Sequence, residues 1–507
     1  MLEAVTLLLY QGVKPLHRFY RAVGPSFAGH IPLLMLGIGS ELVYAFYFLG
    51  QFPLLRYYRR DTDLGGISQH SHSGALAFVV ANSLLFLLFA LAWWRVADGR
   101  HGGTLWLILA FGGLFGLTMS FVYPITAIDI YSYIAESRIM VHYHHNPIFT
   151  PPASYSGDPV MALSGGWQQY GSPYGPLGMV VDAIPAVVTG GLLANLLVLK
   201  LLFSAMALGA AYLVYRILDH LQPDYALGGA LLVAWNPLIL VEVSANGHND
   251  IAMMLLALVG CLAMVRQRLM LGPLFLVLSA LVKYVTLLLL PLFLIYALGR
   301  QPTRRKQVTY VATTTLWSLA IAAVSYAPFW HGTETLKNLT LQNERYADSL
   351  SIVLSHLVSG VTLDQAAFLG SLLFIPLFLA AVWLASGNVE DLFGGCFLAT
   401  FGLLALATTN VKSWYALWPV LLATTVPRFA ERVTAVLLSC GRTLAVAFPA
   451  YLLIWLGADK AGSQALSNSL SYIVTFVPAT IALVAFALGA VWGQNGRRRT
   501  GNPLDGR

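Results

Sequence analysis

Long apolar runs separated by short polar breaks dominate this chain. The runs fall at about 30–50, 74–94, 104–122, 195–215, 226–243, 250–265, 270–282, 284–298, 308–329, 367–386, 391–409, 413–427, 443–458 and 470–492. Many approach the roughly 20 residues that an α-helix needs to cross about 30 Å of hydrocarbon. None shows the strict polar–apolar alternation of a membrane barrel strand. The pattern therefore predicts an all-α, polytopic membrane protein of about 14 transmembrane helices, within a range of roughly 12–14. Three polar segments are too long to be simple turns: 51–73, 123–194 and 330–366. The weakly apolar stretch after Pro176 reads as a helix lying against the outer leaflet, because counting it as a span would invert every later loop. Residues 1–29 read as an amphipathic cytoplasmic segment, 30–492 as one transmembrane domain with large outer loops at 123–194 and 330–366, and 493–507 as a basic cytoplasmic tail.

Composition closes off the alternatives. Of 507 residues, 58% are hydrophobic and only 10% charged, whereas a soluble domain carries about 25% charged residues. A soluble enzyme and a nucleic-acid binder are both excluded. The formal net charge of +7 reports topology more than an anionic partner. With the N-terminus inside, Arg95, Arg100, Arg216, Arg266, Arg268, Arg300, Arg304 to Lys306, Arg428, Arg432 and Arg497 to Arg499 all face the cytoplasm. Arg56, Arg59 and Arg60 break that rule. Cys261, Cys396 and Cys440 show neither metal-ligand spacing nor a disulfide framework.

The charge assignment leaves the chemistry-bearing segments outside. On a helix, Asp129, Tyr133 and Glu136 share one face, so two acids and a phenol converge. Ile128 and Ile130 flank Asp129 and strip it of water, which makes its carboxylate a better base; stabilising acids at a helix N-terminus are the plainer reading. Arg138 follows on the same segment. Tyr174 sits in an aromatic and amide-rich stretch (Trp167 to Leu177) that suits a sugar or a membrane interface equally. The turn Glu242 to Asp250 is more polar than a tight turn requires. His248 is a candidate donor or switchable cation there, Asn246 and Asn249 are candidate partners for hydroxyls, and Asp250 or Asn249 could cap the next helix. Lys283 lies between two apolar half-runs, where a charge needs a cavity, an anion or a route to the interface. Lys412 beside Trp414 and Tyr415 fits a phosphate and a sugar; an aromatic belt explains the rings equally.

Five motifs in order give the chain a family resemblance: DIYSYIAESRI with a following HNP (Asp129 to Ile139, Asn146-Pro147), SPYGPLGMVV (172–181), NPLILVEVSANGHND (236–250), ALVKYVTLLLLP (280–291) and WYALWP (414–419). The sequence resembles the polyprenol-phosphate-mannose-dependent α-mannosyltransferases of actinobacteria, within the GT-C superfamily of membrane glycosyltransferases. That resemblance implies an acid of the first large outer loop as general base, here Asp129 with Glu136 beside it. It also implies a polyprenyl-phosphate-linked sugar as donor, most often mannose, and a lipid- or glycan-linked acceptor. Ile128 and Ile130 stand where the family often carries a second charged residue.

The residues support the same chemistry without the resemblance. The chain has no glycine-rich phosphate loop of the kind that holds a nucleotide sugar. A lipid phosphate is already an anionic leaving group at the membrane surface, so a few cations suffice to stabilise it while an Asp deprotonates the acceptor hydroxyl. Direct displacement would invert the anomeric centre. No cofactor is implied; no metal ligands are assigned, and a divalent ion is not excluded. The rival class is a transporter or flippase of lipid-linked sugars: a secondary transporter would show related halves with paired broken helices, and a flippase would tolerate loss of Asp129.

Overall fold

The computed structural model describes residues 29–97, 104–335, 346–458 and 461–500. The amphipathic segment expected at 1–29, the final residues 501–507, and Asn343, Glu344 and Arg345 of the second outer loop lie essentially outside these residues. Every apolar run falls on helix. Among the described residues, nine helices are long and apolar enough to cross a membrane, and five shorter apolar helices accompany them. The molecule is all-helical and polytopic. The fourteen runs thus divide into full spans and shorter pieces, because several runs are broken near their polar residues.

The main helices are α1 (Ile31–Val43), α2 (His72–Ala97), α3 (Thr104–Ser120), α4 (Asp129–Val141), α5 (Pro176–Val188), α6 (Leu192–Leu221), α7 (Ala226–Ala234), α8 (Asp250–Val265), α9 (Leu271–Ala280), α10 (Leu290–Leu298), α11 (Arg304–Tyr326), α12 (Leu350–Leu357), α13 (Leu363–Ala385), α14 (Val389–Gly402), α15 (Leu417–Thr424), α16 (Phe429–Ala445) and α17 (Ala461–Thr500). The span built on α7 is 94% buried, whereas those of α11 and α13 are 11% buried. A helix apolar on every side belongs either inside a bundle or against lipid, and this contrast separates the two. Gly229 on α7 lets its neighbours approach, with α6 and the end of α15 closing over it, and Gly228 faces Trp93 of α2 and Arg432 of α16.

Irregular backbone gathers at one end of the bundle. The α7 span stops at Asn236, whose side chain caps Leu238 N at 3.0 Å, and then resumes through a π-helical turn at Leu240–Ala245. A second π turn, Leu403–Ala407, follows α14. Such turns re-aim side chains by inserting a residue, and they recur at functional sites. α9 is only 10 residues long, about 15 Å, and it meets Tyr284–Leu289 at an extended Lys283. α9 and α10 therefore form a helical hairpin with Lys283 at its tip. α5, at 13 residues, is too short to span about 30 Å. It packs beside α4, with Tyr133 against Tyr174 at one end and Arg138 Nη1 donating to Gly190 O at 3.4 Å near the other.

Candidate active site

The start of α4, the Trp167–Tyr174 segment before α5, the α9–α10 tip and the link before α15 meet around an open cleft of about 810 Å³. Asp129, Ser132, Glu136, Trp167, Tyr170, Tyr174, Lys283, Asn410, Lys412, Trp414 and Tyr415 are among its lining residues. Four of the five motifs read from the sequence thus line one place, and the 236–250 motif packs behind them.

Local folding explains the placement of Asp129. Asp129 opens α4, and the Trp167 indole Nε1 donates to its Oδ1 at 3.2 Å. Behind it, Ile130 is fully buried and packs where Gly247 has no side chain: a Cβ there would stand 2.4 Å from Ile130 Cδ1, and Gly247 has φ +77°. The glycine of the Glu242–Asp250 turn is thus what lets α4 close onto that turn. Gly175 does the same for the SPYGP segment. A Cβ on it would lie 2.1 Å from Leu281 O, and its amide donates to Val282 O at 3.2 Å. This brings Tyr174 to the hairpin tip, with Lys283 Nζ 5.4 Å from the Tyr174 ring and 5.8 Å from the Tyr415 ring.

The turn after α7 backs the cleft instead of lining it. Asn246, His248, Asn249 and Asp250 are all fully buried. Asn246 accepts from Ile125 N at 3.0 Å and donates to Glu242 Oε2 at 3.0 Å, tying the turn to the chain entering α4. Asn249 donates to Asp182 Oδ2 at 2.9 Å. Asp250 accepts from Lys283 Nζ at 2.7 Å and from Trp418 Nε1 at 2.6 Å. The His248 ring lies flat on Trp414, centroids 4.0 Å apart, with Nε2 3.9 Å from Asp129 Oδ2. Tyr133, also fully buried, presents its ring edge to Tyr174 at 5.3 Å. Arg138 is the exception among the residues singled out from the sequence. It pairs with Asp158 at 2.7 Å, outside the cleft lining, where it ties α4 to the loop that follows.

Burial gives the acids unequal roles. Desolvation pushes the Glu136 carboxyl up to about 8, opposed by a hydrogen bond from Ser172 and reinforced by the charges of Asp182 and Asp129. Burial likewise lifts Asp182 to about 7, with Asn249 and Lys283 opposing. Near neutrality Glu136 holds its proton, so it suits hydrogen-bond donation better than proton abstraction. Desolvation alone would lower His248, but its hydrogen bond to Glu242 and the charges of Glu242, Asp129 and Asp250 raise it overall. Among the described residues no three His, Cys, Asp or Glu side chains converge to hold a metal ion.

Sequence reasoning passed over Asp182, Glu242 and Arg442. An acid in the apolar stretch PLGMVVDAIPAVV is itself a signal of a cavity or partner. Glu242 stood inside a motif quoted for its neighbours. Arg442 binds Asp348 at 2.8 Å and Ser413 Oγ at 3.2 Å, and Ala347 pairs with the backbone of Thr409 and Val411. The second outer loop is thereby locked to the link that presents Lys412 and Trp414.

Residues 35–299 match the family described as alpha-(1->6)-mannopyranosyltransferase, N-terminal domain. The chain belongs to this family. The match covers just over half of the sequence and takes in α4, α5, the Glu242–Asp250 turn and the hairpin tip. It stops short of Lys412 and Trp414. A curated relative, the alpha-(1->6)-mannopyranosyltransferase A of Corynebacterium glutamicum, is 24% identical over 225 residues, which is 41% of this chain and 46% of the relative. The chain spans about half the length of that relative.

Proposed function

We propose that this chain transfers mannose from a polyprenyl-phosphate donor to a hydroxyl of a lipid- or glycan-linked acceptor on the outer face of the membrane, inverting the anomeric centre, with Asp129 as general base. One observation carries the reading. Asp129 shares a single cleft with two cations, Lys283 and Lys412, and with the aromatic walls Trp167, Tyr174, Trp414 and Tyr415. A carboxylate is then available for the acceptor proton, while the lysines face a leaving phosphate and the rings cover the apolar face of a sugar. The family to which the chain belongs supports mannose as the sugar. Asp129 Oδ1 is held by Trp167, which leaves the carboxylate fixed at the rim of the cleft.

The test is transfer from a synthetic polyprenyl-phosphate-mannose donor by purified protein in detergent or nanodiscs. Asp129→Asn keeps the shape and the Trp167 hydrogen bond but removes the proton acceptor. Its kcat should fall by about 100-fold or more with donor KM little changed, the usual size of a general-base contribution. Full activity in Asp129→Asn would remove the mechanism. Donor movement across the bilayer without any transfer would favour a flippase instead.

A further inference from the structure

Behind Asp129 a buried chain of charge runs into the bundle. His248 Nδ1 lies 2.9 Å from the backbone carbonyl of Glu242 and 3.2 Å from its Oε2. A carbonyl oxygen can only accept, so Nδ1 carries a proton. The other ring nitrogen, Nε2, is fully buried, has no hydrogen-bond partner among the described residues and points to Asp129 Oδ2 at 3.9 Å. Without a proton, Nε2, itself shut off from water, would set a lone pair against a carboxylate. With one, it sets an N–H there. Glu242, itself 1% exposed, is held by Asn246 Nδ2 at 3.0 Å and Thr126 Oγ1 at 3.2 Å, so it cannot swing away from the ring. Trp414 covers one ring face.

We infer that His248 is a positioning residue for the transfer reaction: a buried imidazolium, anchored by Glu242, that draws Oδ2 of Asp129 inward and keeps its carboxylate fixed for the acceptor hydroxyl. The inference rests on the transferase reading of the cleft. The surrounding charges fit it. Facing the ring are Glu242 from the π turn after α7, Asp129 from α4 and Asp250 from its own turn; Lys283 is paired with Asp250, and Lys412 lines the cleft. Burial raises Glu136 to about 8 and Asp182 to about 7, so neither carries a full negative charge near neutrality. The net field at the ring is negative, which favours the cation and agrees with the raised affinity of His248 for its proton.

The consequence is an alkaline limb in kcat. His248 loses its proton as pH rises, and Asp129 then loses its fixed partner. In His248→Gln an amide N–H occupies a similar position but does not titrate. That variant should keep activity within about 10-fold of the wild type and show no such limb, whereas His248→Ala should lose about 100-fold in kcat. In Glu242→Gln the anchor charge is gone, and the limb should move to lower pH by roughly one unit. Measured at saturating donor, a limb unchanged in both His248→Gln and Glu242→Gln would overturn the inference. Should His248→Gln fail to fold, the Glu242→Gln profile decides alone.

Thermal stability gives a second readout that needs no turnover. A proton affinity raised in the folded state contributes stability that is complete below the unfolded value of about 6.5 and is lost as pH rises through the folded value. Glu242→Gln should shift that loss toward lower pH, and an unshifted profile would count against His248 even if the donor assay fails. Absence of transfer by the wild-type protein, with the stability shift present, would instead sink the transferase reading and leave the buried imidazolium standing.

Discussion

At the residue scale, the acids of the cleft differ in what they can do because their surroundings differ. Glu136 is pushed up to about 8, so below that pH it is a neutral donor, and above it a second negative charge enters a cleft proposed to hold a lipid phosphate. Donor KM should therefore rise between about pH 7 and about pH 9 in the wild type and stay flat in Glu136→Gln, which mimics the protonated acid. A KM independent of pH in the wild type would refute this. Lys283 has two duties that can be separated. Its ion pair leaves Asp250 fully buried, and removing one partner of a buried pair costs about 3–5 kcal/mol. Lys283→Met should thus lower both thermal stability and donor affinity. Adding Asp250→Asn removes the stranded charge, so the double variant should recover stability but not donor affinity. Recovery of both would show that Lys283 acts only as a structural counter-ion. Asp129 and Lys283 were conspicuous in the sequence as charges in an apolar setting, and His248 as part of a turn more polar than its length requires. Arg138 was equally conspicuous, yet its partner Asp158 lies 20 residues on, and nothing in a linear pattern distinguishes an internal ion pair from a ligand contact.

At the scale of elements, the motifs are joints between helices, and their glycines are where one backbone meets another. Gly247, at φ +77° with Ile130 against it, is the clearest case. Alanine there is strained in the left-handed region, by roughly 1–2 kcal/mol, and must also push α4 away. Gly247→Ala should therefore lower kcat more than donor KM, since Asp129 rides on α4 next to Ile130 while Lys283 and Lys412 sit on other elements. A change in donor KM alone, with kcat intact, would contradict that geometry. The helical periods of these elements could be read from the sequence, as could the amphiphilic character of α5 and the break at Lys283. The π turns at Leu240–Ala245 and Leu403–Ala407 could not. Leu403–Ala407 is apolar throughout and Leu240–Ala245 is apolar but for Glu242 and Ser244, and in neither does the pattern separate a 3.6-residue from a wider helical turn. Lys200 was hidden for a related reason. It is fully buried inside α6, donating to Val122 O at the end of α3, so its partner is a backbone carbonyl with no side-chain signature.

At the scale of the molecule, the cleft lies where the irregular backbone gathers, and the chain's charges predict which face of the membrane that is. Tyr326, at the end of α11, reaches the cleft side through Tyr284, and Phe329 O accepts from Asn146 of the first large loop at 3.0 Å. The other end of α11 begins with the basic run Arg304 to Lys306. With a basic cluster at one end and the cleft at the other, the charge rule predicts an outward-facing cleft, and the exception formed by Arg56, Arg59 and Arg60 sits near the cleft end, with each guanidinium over a tyrosine ring of its own segment. That packing offsets part of their cost on the outer face. The assignment can be tested by single cysteines at exposed Gly157, in the first large loop, and at exposed Arg304. A variant lacking Cys261, Cys396 and Cys440 is the background, although the first two are buried. In intact cells a membrane-impermeant maleimide should label Gly157→Cys at once and Arg304→Cys only after permeabilisation. The reverse pattern would put the cleft on the cytoplasmic face. Labelling of both from outside would break the parity of the spans between them, and with it the topology on which an extracytoplasmic donor depends.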